Sequence, residues 1–264
     1  MRKLVWFVSI LLALQSLGAA QSLQTHQHLD INLYQRVLEQ FISPATGRVN
    51  YDSLKVNRAD LDSFVAQLAR TGPFTRPEDY PTLQDTFAFW ANAYNALVLK
   101  GVVDNYPVSS VKKIKRFFGF FKRYDFELDG RTVVLDDIEH RFLRPLGDPR
   151  VHFAVNCASI SCPRLFNQPW SPEILNEQLD RAARIYINDR SQNYLDPEEG
   201  RLYLSSIFKW YRDDFEDWLK KQGRRADIRE YVQQYFDEEN QRIYSTRDKW
   251  KVKYLKYDWG LNRQ

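Results

Sequence analysis

The chain predicts an α+β fold, mainly helical and built as a single domain, with a central apolar helix and a small antiparallel sheet. Apolar residues recur at helical spacing along most of the length, short β-type runs flank turn dipeptides, and one helix is nonpolar almost all round. In chain order, Asp30 to Ile42 has helical periodicity and leads through the polar turn Pro44-Ala45-Thr46-Gly47 into a short extended piece, Arg48 to Tyr51. A helix from about Arg58 to Ala69 follows, with Asn57 as its cap. From about Leu83 to Val103 comes the most apolar helix; its stretch Ala88 to Leu99 has the pattern of a helix enclosed by others.

Phe121 to Leu128 and Arg131 to Val134 flank Asp129-Gly130, the strongest hairpin signal in the chain. A helix from about Asp136 to Leu143 stops before Pro145. Val151 to Asn156 reads as a short buried strand leading into the loop that holds both cysteines. Ser171-Pro172-Glu173 opens a helix to about Ile187, with a cap and a first-turn proline. A second hairpin turns about Pro197 to Gly200, and two helices cover about Phe208 to Lys221 and Ile228 to Phe236. The tail Lys251 to Tyr257 alternates with period two, as a half-buried strand does.

The N-terminus orders a basic start, Arg2-Lys3, an apolar run from Leu4 to Leu14 and small residues ending at Ala20. That order predicts a secretory signal over residues 1–20 and an exported mature chain, periplasmic or extracellular, formed by residues 21–264. The uninterrupted apolar part is shorter than the ~20 residues a membrane span needs, and no later segment is long and apolar enough. Without Arg2 and Lys3, the 38 basic residues fall to 36 against 34 acidic ones, a balance that gives no argument for nucleic acid. The runs Lys112 to Arg116 and Lys220 to Arg225 read as solvated loops or helix ends.

Both cysteines and one of the four histidines fall between Val151 and Pro163. No phosphate loop, paired-histidine zinc signature or serine elbow competes with this stretch for chemistry. In an oxidising compartment Cys157 and Cys162 would close a short loop as a disulfide. As a nucleophile, Cys157 would need a base and a group to orient that base. His152 is close, but along a regular strand an offset of five residues sets the two on opposite faces. Glu139 lies in the apolar stripe of Leu135, Ile138, Phe142 and Leu143 and should point inward, either paired with an arginine such as Arg144 or Arg150 or free to orient a histidine. His140 sits at the edge of the same stripe. Asn92 and Asn95 share one face of the central helix, where buried amides either buttress a loop or stabilise an oxyanion. A zinc site from Glu139, His140, His152 and Cys157 has suitable ligand types but no recognised spacing. No other cofactor is indicated.

Four segments, Ala88 to Ala96, Asp137 to Arg144, His152 to Ala158 with Cys162-Pro163, and Tyr257 to Asn262, together resemble the domain-of-unknown-function family 547, across roughly Gln35 to Asn262. The resemblance implies no established reaction. It implies that the asparagine pair, the Glu-His pair and Cys157 recur while serine can replace Cys162, which makes a bridge non-obligatory. An apolar central helix followed by a strand opening on histidine is also similar to transglutaminase and papain-type hydrolases, although no cysteine opens the central helix here.

The function expected is a thiol-dependent hydrolase or acyltransferase acting on a peptide or amide. Cys157 would attack, His140 or His152 would move the proton, Glu139 would orient the base, and Asn92 or Asn95 would hold the oxyanion. The alternatives are a non-catalytic module with a Cys157–Cys162 disulfide that holds a peptide, glycan or protein, and a metal-dependent enzyme.

Overall fold

The computed structural model describes residues 28–264. The signal-like segment and His26 lie outside the described residues. Three helices come first: α1 (Ile31–Phe41), α2 (Tyr51–Val56) and α3 (Ala59–Leu68). Asp30 caps α1 by accepting the Asn32 N–H, and Tyr34, Val37, Leu38 and Phe41 form its buried face. Asn57 does not cap α3 as expected. Its amide donates to the Ser53 carbonyl and closes α2, and α3 starts without a side-chain cap.

Helix α4 (Leu83–Asn105) is the axis of the fold. Thr82 and Asp85 cap each other at its start, and every residue from Phe87 to Leu99 is buried. Helices α2 and α3 pack on it, as does the segment Ile138–Leu143. The expected strand Phe121 to Leu128 is mostly something else. Gly119–Lys122 forms a helical turn, α5, and pairing is confined to β1 (Phe126–Leu128) and β2 (Arg131–Val133). Asp129 and Gly130 join them with φ of 51° and 70°, the left-handed pair a tight hairpin turn requires.

Beyond α6 (Leu135–Asp137) the helix widens. Over Ile138–Leu143 it becomes a π-helix, in which the Arg144 N–H reaches the Glu139 carbonyl five residues back. The expected strand Val151 to Asn156 is corrected by the structure: Val151–Ala154 is a helical turn, α7, and Val155 after it is extended. Turn bonds from Val151, His152 and Phe153 back to Asp148, Pro149 and Arg150 start it at Pro149. A short, fully apolar run fits a buried helical turn as well as a buried strand, so composition does not separate them.

Helix α8 (Leu175–Ile187) follows a tight turn at Pro172–Ile174, and β3 (Tyr194–Asp196) pairs with β4 (Arg201–Leu204) as a hairpin. The single helix expected over residues 208–221 is two, α9 (Ile207–Trp210) and α10 (Arg212–Lys221), broken at Tyr211. Then come α11 (Ile228–Gln233), an unforeseen α12 (Glu238–Tyr244) and β5 (Lys251–Tyr254). Strand β5 runs parallel to β4, which makes the second sheet mixed, in the order β3-β4-β5. The fold is mainly helical α+β around one continuous core.

Two asparagines of α4 fix the segment that carries the cysteines. The Asn95 amide donates to the Ala154 carbonyl at 2.9 Å and its oxygen accepts the Asn156 N–H at 2.8 Å. These are the backbone groups a neighbouring strand would have taken. Asn92 holds Trp170 in the same way, through its carbonyl at 2.8 Å and its N–H at 2.9 Å. The Trp170 indole in turn donates to the Ala154 carbonyl. Replacing Asn95 with alanine removes both bonds and leaves a buried N–H without a partner, so Asn95→Ala should cost roughly 2–4 kcal/mol of stability. Denaturant unfolding measures it, and a loss below about 1 kcal/mol would show the clamp to be dispensable.

Candidate functional site

The cysteine loop, the π-helical segment, the junction of α9 with α10 and the C-terminal tail enclose a cavity of about 270 Å³. Glu139, His140, His152 and Cys157 all line it, although they come from separate segments. Asn92 and Asn95 do not. They stand behind the cavity wall with their amides committed to backbone. The helical form of Val151–Ala154 accounts for His152 and Cys157 lining one cavity, because the opposite-face argument applies only to a regular strand. The wide turn at Ile138–Leu143 sets Glu139 and His140 beside each other on the wall.

Cys157 and Cys162 are joined by a disulfide, and the described residues contain no free cysteine. The Tyr257 hydroxyl lies 3.1 Å from both sulfurs, and the Cys157 N–H lies 2.9 Å from the Cys162 sulfur. The loop is held from below by Asn156, whose side chain accepts from the Ala158 N–H and donates to the Pro163 carbonyl. It is held from the side by the tail, through Ile160 N–H to the Gly260 carbonyl and Ser161 N–H to the Asp258 carbonyl.

Four residues outside the expected set complete the site. Asp214 accepts from His152 Nε2 at 2.8 Å and receives two bonds from the Arg144 guanidinium, at 2.7 and 2.8 Å. Arg144 also faces His140 Nδ1 at 2.6 Å, and Asp136 lies 3.5 Å from the other nitrogen of that ring. Tyr211 stacks on His152 with ring centroids 3.9 Å apart, and Tyr257 covers the sulfurs. Asp214 was open to the argument that singled out Glu139: with Tyr211, Phe215 and Trp218 it shares one helical face, a lone acid on an aromatic stripe. Neither arginine considered for Glu139 forms an ion pair with it. Arg144 pairs with Asp214, and Arg150 pairs with Asp148 and Asp180. Glu139 lies against the Tyr211 hydroxyl. Among the described residues no cluster of three His, Cys, Asp or Glu side chains is disposed to hold a metal ion.

Burial sets the charge states. It lowers the His152 imidazole below its ordinary range, and the hydrogen bond to Asp214 opposes that shift without reversing it. Burial would raise the Asp214 carboxyl, but the bonds from Arg144 and His152 outweigh it and hold the group well below the usual carboxylate range. Burial, then Glu139, pushes the Tyr211 hydroxyl far above an ordinary phenol. Both depressed groups take up protons more readily when unfolded, so each contributes stability above its unfolded pKa that is lost as pH falls. Unfolding free energy should therefore decrease from about pH 6.5 downward through His152, by at most about 1.4 kcal/mol per pH unit for one proton, and further below about pH 4 through Asp214. Denaturant titrations at about pH 7 and about pH 5 test this, with His152→Gln as the control; an unchanged slope in that variant would remove His152 from the account.

No curated protein and no solved structure matches the chain. Residues 80–187 match a family model described as protein of unknown function, DUF547. The matched segment holds Asn92, Asn95, Glu139, His140, Arg144, His152 and both cysteines, whereas Tyr211, Asp214 and Tyr257 lie beyond it. The segment similar to DUF547, residues 80–187, thus includes one wall of the cavity.

Proposed function

We propose that the cavity is the active site of a thiol-dependent hydrolase or acyltransferase acting on a peptide or amide, with the Cys157–Cys162 disulfide as its resting oxidised form. The observation that carries this reading is the meeting of Cys157 with a carboxylate-oriented imidazole in one cavity. With Nε2 held by Asp214, Nδ1 is the His152 nitrogen left for proton transfer. An external dithiol supplies two electrons and two protons and becomes a disulfide, leaving Cys157 and Cys162 as thiols.

Cys157 then passes its proton to His152 and attacks the carbonyl carbon. The C–N bond breaks as the imidazolium returns the proton to the leaving amine, and water or another acceptor cleaves the thioester. Asp214 and Glu139 favour the imidazolium that forms. The Cys157 N–H and the Tyr257 hydroxyl, which face sulfur in the bridged form, are the donors placed for the oxyanion. That role passes to them because Asn92 and Asn95 are committed elsewhere.

The bridge itself favours a second reading, a pocket that binds a peptide, glycan or partner protein without chemistry. Its aromatic lining, Tyr94, Trp210, Tyr211, Tyr257 and Trp259, serves either case. Limited iodoacetamide after dithiol reduction separates the two. On the catalytic reading Cys157 alkylates at least about tenfold faster than Cys162 near pH 6.5, and His152→Ala removes the preference. Cys162→Ser should show the same fast thiol with no reductant and turn over an activated amide. Equal, slow alkylation of both sulfurs would leave the binding pocket as the function.

A further inference from the structure

Between Asp104 and Asp125 the chain has six basic residues, Lys112, Lys113, Lys115, Arg116, Lys122 and Arg123, and no acidic one. All six are exposed. Among the described residues only Lys122 has a carboxylate within reach, Asp136 at 3.8 Å. Phe117 stands among these cations and is 87% exposed, more than any other large apolar side chain described.

The backbone is bent to put it there. Lys115, Phe117 and Phe118 have φ of 43°, 58° and 58°, a left-handed region that side chains of this size rarely enter. The bend is fixed from both ends. Ile114 and Phe120 are buried on either side, the Arg123 guanidinium donates to the Lys115 and Arg116 carbonyls, and Lys115 Nζ donates to the Arg123 carbonyl at 2.7 Å. Phe118 leans on Trp259 with centroids 5.0 Å apart, and Phe118, Phe121 and Lys122 line the cavity. The segment that carries the raised phenylalanine and its cations thus also supplies three residues of the cavity wall.

We propose that the segment Lys112–Arg123 docks the protein on an anionic lipid surface, with Phe117 inserted among the headgroups and the cavity mouth turned toward the bilayer. A ring with no polar group gains by entering the headgroup and acyl boundary, and the surrounding cations, five of the six without a carboxylate partner, gain by approaching lipid phosphates. One surface satisfies both at once. The inference rests on the position of the cavity and not on the thiol chemistry proposed for it. A ligand that enters beside this segment would be one presented at the membrane.

Co-sedimentation of the full chain with vesicles tests it, using phosphatidylcholine alone or mixed with phosphatidylglycerol. Partition onto the anionic vesicles should be at least about tenfold stronger and should weaken with salt. Phe117→Ser should lower it roughly fivefold or more without changing the melting temperature, because the side chain is not part of the core. Lys113→Gln with Arg116→Gln should lower it at least about tenfold. The comparison is between chains with the same N-terminus, so any binding by residues 1–20 cancels. Equal partition onto both vesicles, or Phe117→Ser binding like the parent chain, would overturn the proposal. So would displacement from the vesicles by an oligothymidylate for which Phe117→Ser loses affinity, since the surface would then be a nucleic-acid site.

Discussion

The cavity depends on how one irregular piece of backbone, residues 154–163, is held without a sheet. Buried backbone groups must find partners, and here they find amide side chains. Asn95 takes the groups on either side of Val155. Asn156 reaches across its own loop to Ala158 and Pro163, and its oxygen also accepts from the Asn262 amide, which in turn accepts from the Tyr51 hydroxyl at 2.9 Å. Helix α2, the central helix, the cysteine loop and the C-terminus thus share one buried polar network. Such networks specify a single arrangement because each unsatisfied member is costly in a low dielectric. The tail is part of it. Val49 bonds with Asn262 and Gln264, which fixes the chain end and with it the position of Tyr257 and Trp259 at the cavity.

A second chain of contacts sets the electrostatics of the opposite wall. Arg144 is shared between Asp214 and His140, and Asp214 between Arg144 and His152. The guanidinium fork makes Asp214 the better-neutralised of the acids near the imidazole. His152 therefore stays neutral by burial while remaining oriented by a carboxylate. Tyr211 covers its face and also lies near Glu139, so the two acids are linked only through the Tyr211 and His152 rings together. Removing one partner from such a set leaves a partly buried charge uncompensated.

Much of this was legible in the residues, and the parts that were not have identifiable causes. The central helix announces itself by its apolar surface, and Glu139 by its position in a helical stripe. Asp214 obeys the same rule, sharing a helical face with Tyr211, Phe215 and Trp218, and was equally legible although the break at Tyr211 was not. His152 and Cys157 were separable only on the assumption of a strand; the buried run Val151 to Asn156 is too short for periodicity to decide. The contact of Tyr257 with the sulfurs spans about a hundred residues and has no local signal. Whether the sulfurs are bonded depends on distance and redox setting, and spacing alone left both states open.

The donors around the sulfurs bear on which state the wall fits. A disulfide sulfur is a weak acceptor, whereas a thiolate is a strong one. Yet two good donors, the Cys157 N–H and the Tyr257 hydroxyl, are spent on sulfur in a half-buried place. Burial holds the Tyr257 hydroxyl in its protonated form, so it remains a donor at any ordinary pH. Two fixed donors facing a weak acceptor gain little; facing a negative sulfur, or an oxygen acquiring charge beside it, they gain a charge-assisted bond each. Both donors face the Cys162 sulfur and only the Tyr257 hydroxyl also reaches that of Cys157, so a negative charge on either sulfur would gain more from this wall than the bridge does.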